Sequence, residues 1–159
     1  MGACQFCHSK VSGGVFECHG NLNHLSEVLD FNNPLHSEAR FLSSDAMAVQ
    51  HCEIHGPFNN HIHLTRLQLI LERKVKWDTT KTPLLSHIIN DYKKNKTEYL
   101  TPPPPGMRGQ ITTLDLLKAS TPNECMNIVK DWAIEVYHAF SNHHPLISSI
   151  ADSYLNRYY

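Results

Sequence analysis

Apolar residues recur at intervals of three and four along most of this chain, and that spacing predicts helices. The clearest helix starts at Thr121, which is placed to cap it, with Pro122 at the first helical position and Glu124 completing a capping box. Its apolar face carries Cys125, Ile128, Val129, Trp132, Ala133, Val136 and Phe140. A long helix with one continuous apolar face is expected to lie at the centre of the core.

Weaker forms of the same pattern predict further helices before and after this one. They are expected over residues 21–31, 37–55, 61–75, 84–94, 112–119 and 145–158. Ser37 is expected to cap the second of them, and Asn59 or Asn60 the third. Because the second helix is predicted to run as far as residue 55, His51 and His55 would share one of its faces. No alternating strand pattern competes with this prediction, so the fold class is all-α.

The chain is predicted to form a single domain, residues 1–159, because its length is typical of one hydrophobic core. Residues 1–20 contain turn residues and only short apolar pieces, which predicts a zinc-knuckle-like segment held by its ligands. Residues 21–159 are predicted to form a helical bundle. Within it, residues 100–110 contain four consecutive prolines, which favour an extended strap across the surface over a docking site.

Charge and hydropathy exclude two classes of partner. The chain has 14 Lys and Arg against 15 Asp and Glu, so it lacks the basic excess that nucleic acid binding requires. No stretch approaches the roughly 20 apolar residues of a membrane span, and no export signal begins the sequence. The protein is therefore predicted to be soluble and cytoplasmic. In that compartment its five cysteines would stay reduced, which favours a metal site over disulfides.

Three early cysteines predict that metal site. Cys4 and Cys7 form a Cys-x-x-Cys pair, and a tight turn between such cysteines lets both thiolates bind one tetrahedral ion. Cys18 is the third expected ligand. The candidates for the fourth are His19, His24, His51, Cys52 and His55, of which His51 is favoured. Zinc is the expected ion because it suits thiolate-rich tetrahedral sites, although iron can bind to the same ligands.

The sequence contains 12 histidines, and some of them allow a different interpretation. His51, His55 and His63 would hold an open metal site, where a bound water reacts and an acid such as Asp45 or Glu53 moves protons. Solvated histidines in loops are the simpler explanation, since no His-Glu-x-x-His motif accompanies them. Near the other end of the chain, the adjacent histidines 143 and 144 are expected to cap the long helix.

Several short segments together resemble an uncharacterised bacterial domain-of-unknown-function family. The resemblance rests on Cys4-Gln5-Phe6-Cys7, Cys18, Asp45 to His51, His63-Leu64, and Trp132-Ala133 through Val136-Tyr137 to His143-His144. That family is characterised by an N-terminal Cys-x-x-Cys, a Tyr-x-x-Gln-His-Pro segment and a tryptophan-rich helix ending at histidine. This chain departs from the pattern at Met47, Cys52, Tyr137 and Phe140. The resemblance implies no activity, but it adds Asp45, Gln50, His63 and His144 to the candidate site residues.

The favoured prediction is a small zinc-binding helical protein whose metal is mainly structural. Cys4, Cys7, Cys18 and His51 would bind the zinc, and the protein would act as a binding module for an unknown protein or small molecule. The alternative is a metal-dependent hydrolase with a His-rich open site, for which His55, His63 and Asp45 are the second-site candidates.

Overall fold

A computed structural model describes residues 2–95 and 99–159 of the chain; for Pro57 and Phe58 it describes the backbone alone. Met1, where the predicted knuckle begins, lies outside the described residues. The helices are α1 (Gly14–Gly20), α2 (Asn23–Val28), α3 (Pro34–Gln50), α4 (Pro57–Leu71), α5 (Thr82–Asn95), α6 (Thr113–Leu116), α7 (Pro122–Ala139) and α8 (His144–Tyr158). Short 3₁₀ turns cover Cys52–Ile54 and Ser141–His143. No strand occurs in the described ranges, and the all-α prediction is confirmed.

Helix α7 occupies the centre of the core, as its apolar face predicted. It packs mainly against α3 and also contacts α2, α4 and α6, while α8 covers α4 and α5. Trp132 and Val136 are completely buried on its inner face. The Thr121 side chain accepts the backbone N–H of Glu124 at 3.2 Å, but the Glu124 carboxylate accepts from the backbone N–H and hydroxyl of Ser120. None of the described helices has the length and apolar character to cross a bilayer.

The predicted helix starts are wrong at two positions, and a proline begins the helix at each of them. Pro34 begins α3, and the Asn33 side chain accepts the N–H of Leu35 at 3.0 Å, so Ser37 is not the cap. Pro57 likewise begins α4. Proline is well suited to the first helical position because its fixed φ is helical and its missing N–H would have no partner there.

The prediction that His51 and His55 share a helical face is also wrong. Helix α3 ends at Gln50, and His51 leaves helical geometry with φ −118° and ψ 42°. The 3₁₀ turn follows, and His55 is extended with φ −104° and ψ 158°. The two imidazoles therefore belong to different local structures. As the candidate metal centre shows, only His51 is directed at the cysteines.

The N-terminal segment is more helical than predicted. Helix α1 lies inside the predicted knuckle, and α2 is a separate short helix where one helix over residues 21–31 was expected. The loop before α1 is a tight turn in which the N–H of His8 donates to the carbonyl of Cys4, and the N–H of Cys4 donates to Ser9, each at 2.9 Å. His8 adopts a left-handed φ of 63°, which reverses the chain directly after Cys7.

The proline-rich segment crosses this N-terminal turn. The N–H of Gly106 donates to the carbonyl of Phe6 at 3.0 Å, and the N–H of Met107 closes a turn on Pro104 at 3.0 Å. Gly106 has φ 81°, and a side chain added there would overlap the imidazole of His8. Glycine is therefore required at this crossing for both its conformation and its size.

Replacing Gly106 by Ala is expected to lower the free energy of unfolding by about 1–2 kcal/mol, because a left-handed conformation is unfavourable for residues with a Cβ. The control is Gly20→Ala, since a Cβ at Gly20 would meet no atom and Gly20 has no positive φ. Urea unfolding of both variants measures the difference. Equal stability of the two variants would contradict this account of the crossing.

Candidate metal centre

Four buried side chains meet where the N-terminal segment lies against the bundle. Cys4 and Cys7 come from the N-terminal turn, Cys18 from α1, and His51 directly follows α3. One ligand atom from each residue lies within 4.8 Å of the corresponding atom of every other. Cys4, Cys18 and His51 are fully shielded from solvent and Cys7 is 7% exposed. The structure thus brings together the four predicted ligands, and a metal ion could be held between them.

The measured distances fit a tetrahedral ion. Zinc–sulfur bonds of about 2.3 Å place neighbouring sulfurs about 3.8 Å apart, and a sulfur and an imidazole nitrogen about 3.6 Å apart. In the protein the Sγ atoms of Cys7 and Cys18 are 3.6 Å apart, and Cys18 Sγ lies 3.3 Å from His51 Nε2. A small contraction or expansion of the cluster is all that binding would require. Three thiolates and one imidazole form a closed ligand set typical of structural zinc sites.

His51 is in the correct tautomer for this role. Its Nδ1 lies 2.8 Å from the carbonyl oxygen of Met47, and a carbonyl can only accept, so Nδ1 carries the proton. The lone pair is then on Nε2, the atom that faces Cys18. A backbone carbonyl that orients a ligating histidine in this manner is common around metal sites. Both nitrogens of His51 are therefore engaged, and neither is directed elsewhere.

Two hydroxyl groups flank Cys18. Its Sγ lies 3.1 Å from Thr113 Oγ1 and 3.8 Å from Ser9 Oγ. The hydrogen bond with Cys18 and then burial raise the pKa of Cys7 to about 11, whereas that hydrogen bond lowers the pKa of Cys18. The Cys18 thiol is therefore the more acidic of the two. A divalent cation would displace the thiol protons and neutralise the charge of the resulting thiolates.

A buried polar network holds the end of α3, next to His51. Gln50 is fully buried; its Nε2 donates to the carbonyls of Arg108 and Ile111, and its Oε1 accepts the indole N–H of Trp132 at 3.0 Å. Arg108 in turn donates to the Gln50 carbonyl at 3.1 Å and forms an ion pair with Glu53. The sequence did not predict these contacts, which join residues more than 50 positions apart. Glu53 therefore pairs with Arg108 and is not part of the cluster of Cys4, Cys7, Cys18 and His51.

The remaining sequence candidates lie elsewhere. His24 contacts Glu27 and the carbonyl of Ala119, and Cys52 is a buried thiol whose pKa burial raises to about 11. His144 lies 2.9 Å from the carbonyl of Tyr137, near the end of α7, as its predicted capping role requires. The same prediction is wrong for His143, whose imidazole contacts the backbone of Thr101 instead. His55 and His63 line a pocket described below, and Asp45 contacts His63. Ser9 and Thr113 were not predicted, and no spacing in the sequence indicates them.

The fold and the site define an all-α protein with a buried Cys3His cluster. The chain belongs to DUF5946, a family of unknown function, whose family model matches residues 2–141. This finding confirms the predicted resemblance to a domain-of-unknown-function family. Comparisons with curated proteins and with solved structures give no match.

Proposed function

We propose that the protein is a small zinc-binding module in which Cys4, Cys7, Cys18 and His51 hold a structural zinc. The metal would fasten the N-terminal segment to the helical bundle, and the assembled surface would bind a small molecule or a protein partner. The observation that carries the proposal is the convergence of four buried donors from three separate elements. Five buried free cysteines agree with the proposed cytoplasmic location, where thiols stay reduced.

The N-terminal segment offers little else to stabilise it. Apart from the three cysteines, Val11 is the one buried apolar side chain among residues 2–20, and Phe6 and Val15 are partly buried. So few apolar contacts cannot offset the conformational entropy of ordering about 20 residues. A zinc ion bound by this segment and by His51 would supply the missing free energy, as it does in small zinc domains.

A structural role is better supported than the hydrolytic alternative. The four donors form a complete tetrahedral set, which leaves no coordination position for a reacting water. His51 has no free nitrogen for a second ion, because Nδ1 is bonded to Met47. Among the described residues, the cluster of three cysteines and His51 is the one place where three or more metal-binding side chains converge.

A pocket beside the cluster is the proposed binding surface. It has a volume of about 400 Å³ and lies between α2, α3, α4 and the 3₁₀ turn; we refer to it as the His51 pocket. Its lining combines apolar side chains, among them Leu25, Met47 and Ile54, with Arg40 and histidines. Because His51 is part of the lining, a metal bound to His51 would also help to fix this part of the pocket.

Elemental analysis after extensive dialysis tests the proposal. We expect one tightly held zinc per chain in the wild type and none in Cys7→Ser, because three remaining donors bind zinc far more weakly than four. Cys125→Ser is the matched control: Cys125 is buried in the core and outside the cluster, so its zinc content should not change. Tightly held zinc that survives Cys7→Ser but is lost in His55→Ala would overturn the proposal in favour of an open site.

A further inference from the structure

Histidine His63 is held in one orientation by a buried carboxylate. Its Nδ1 lies 2.7 Å from Oδ1 of Asp45, a fully buried residue. The other carboxylate oxygen of Asp45 accepts a hydrogen bond from Nε of Arg66, also at 2.7 Å. Because the ion-paired carboxylate can only accept, the proton is on Nδ1 and the lone pair is on Nε2. Among the described residues, no hydrogen-bond partner occupies that Nε2, and His63 lines the His51 pocket. A carboxylate behind a histidine is the usual support of a metal ligand.

His55 approaches the same imidazole from the 3₁₀ turn. The centroids of the His55 and His63 rings are 5.6 Å apart, with a 45° angle between the ring planes. Two imidazoles with metal–nitrogen bonds of about 2.1 Å have ring centres about 5–5.5 Å apart when they share a tetrahedral ion. The observed separation therefore needs only small side-chain movements for joint binding.

We propose that His55 and His63 form a second metal site in the His51 pocket, which binds Zn²⁺ or a similar divalent transition ion through two imidazoles. His19 lines the same pocket and is a candidate for a third ligand. The remaining coordination positions face the pocket and would be taken by water or by an anionic group of a ligand. Arg40, which also lines the pocket, would pair with that anion.

This second site differs from the cysteine centre in chemistry and in position. It has nitrogen and oxygen donors alone, and it is open to solvent, so its ion would exchange readily and could act as a Lewis acid. Because both nitrogens of His51 are engaged at the other centre, the two sites share no ligand. The inference consequently stands apart from the proposed structural zinc and can fail or succeed independently.

Cobalt titration of the full-length protein separates the two sites. The protein is first loaded with one equivalent of Zn²⁺ and then titrated with Co²⁺. We expect one further equivalent to bind, with weak visible absorption of a nitrogen and oxygen site and without a thiolate charge-transfer band. A parallel titration of the metal-free protein should show the thiolate band with the first equivalent of Co²⁺, and absence of that band would mark failure of the cysteine centre separately. The same titration of Cys7→Ser should retain the cobalt bound to histidines.

Single substitutions identify the ligands of that second ion. His55→Ala and His63→Ala should each weaken the binding of the second cobalt by at least about 10-fold, since the loss of one ligand or its support has effects of this size. His87→Ala is the matched control, because His87 is 66% exposed on α5, away from the pocket, and should change nothing. Equal weakening in all three variants, or in none of them, would mean an adventitious ion only and would overturn the proposal.

Discussion

Cys18→Ser is expected to lower the midpoint of thermal unfolding by about 10 °C. If zinc is present at about 1,000 times its dissociation constant, it stabilises the folded state by about 4 kcal/mol. For a domain of this size, each kcal/mol corresponds to about 2–4 °C. Cys18 is also completely buried and contacts Thr113, so the substitution removes a central ligand and disturbs its surroundings. Differential scanning calorimetry at fixed free zinc measures the change.

Chelation distinguishes loss of metal from loss of packing in that experiment. A strong chelator should lower the midpoint of the wild type toward that of Cys18→Ser, and should not lower the midpoint of the variant further. After chelation, hydrogen exchange should show loss of protection next to the metal ligands. The affected amides should be those of Cys4, His8 and Val11, which form hydrogen bonds within the N-terminal turn. A wild-type midpoint and turn amides that are both unaffected by the chelator would show that no structural metal is bound.

The helices were predictable from the sequence, and their ends were predictable only in part. Helix α7 follows from its apolar spacing and from the cap at Thr121, because both signals are local. The capping box of α6 is complete, with the Asp115 carboxylate accepting the N–H of Thr112 at 2.9 Å. Pro34 and Pro57 are different, since a proline can follow one helix or begin the next. A single sequence does not determine which of these occurs.

The candidate site was predictable as a set of residue types, while its arrangement depends on distant contacts. The Cys-x-x-Cys spacing of Cys4 and Cys7 is local and correctly indicated a tight turn. The position of His51 depends on where α3 ends, and that end is held by Gln50, whose partners lie about 60 residues later in the chain. The pairing of Asp45 with His63 and Arg66 likewise depends on how α4 packs against α3. The helical pattern of the sequence is compatible with this packing, but it does not determine which residues of the two helices face each other.

Asp45→Ala is expected to be among the most destabilising single substitutions outside the cysteine centre. The Asp45 carboxylate is fully buried and accepts hydrogen bonds from Nε and Nη2 of Arg66 and from His63. Its removal leaves the Arg66 guanidinium, itself 9% exposed, without its counter-charge. Breaking one side of a buried ion pair costs about 3–5 kcal/mol, because the remaining charge stays desolvated. Urea unfolding monitored by circular dichroism measures the loss.

A surface pair provides the matched comparison for this substitution. Asp152 contacts Arg73 at 2.9 Å, but these side chains are 57% and 32% exposed, so Asp152→Ala should cost at most about 1 kcal/mol. The double variant Asp45→Ala/Arg66→Met should recover part of the stability that Asp45→Ala loses, because it removes the stranded charge and leaves an apolar side chain beside Phe41. If Asp45→Ala and Asp152→Ala proved equally mild, the Asp45 pair would be an ordinary surface contact, and the orientation it gives to His63 would lose its physical basis.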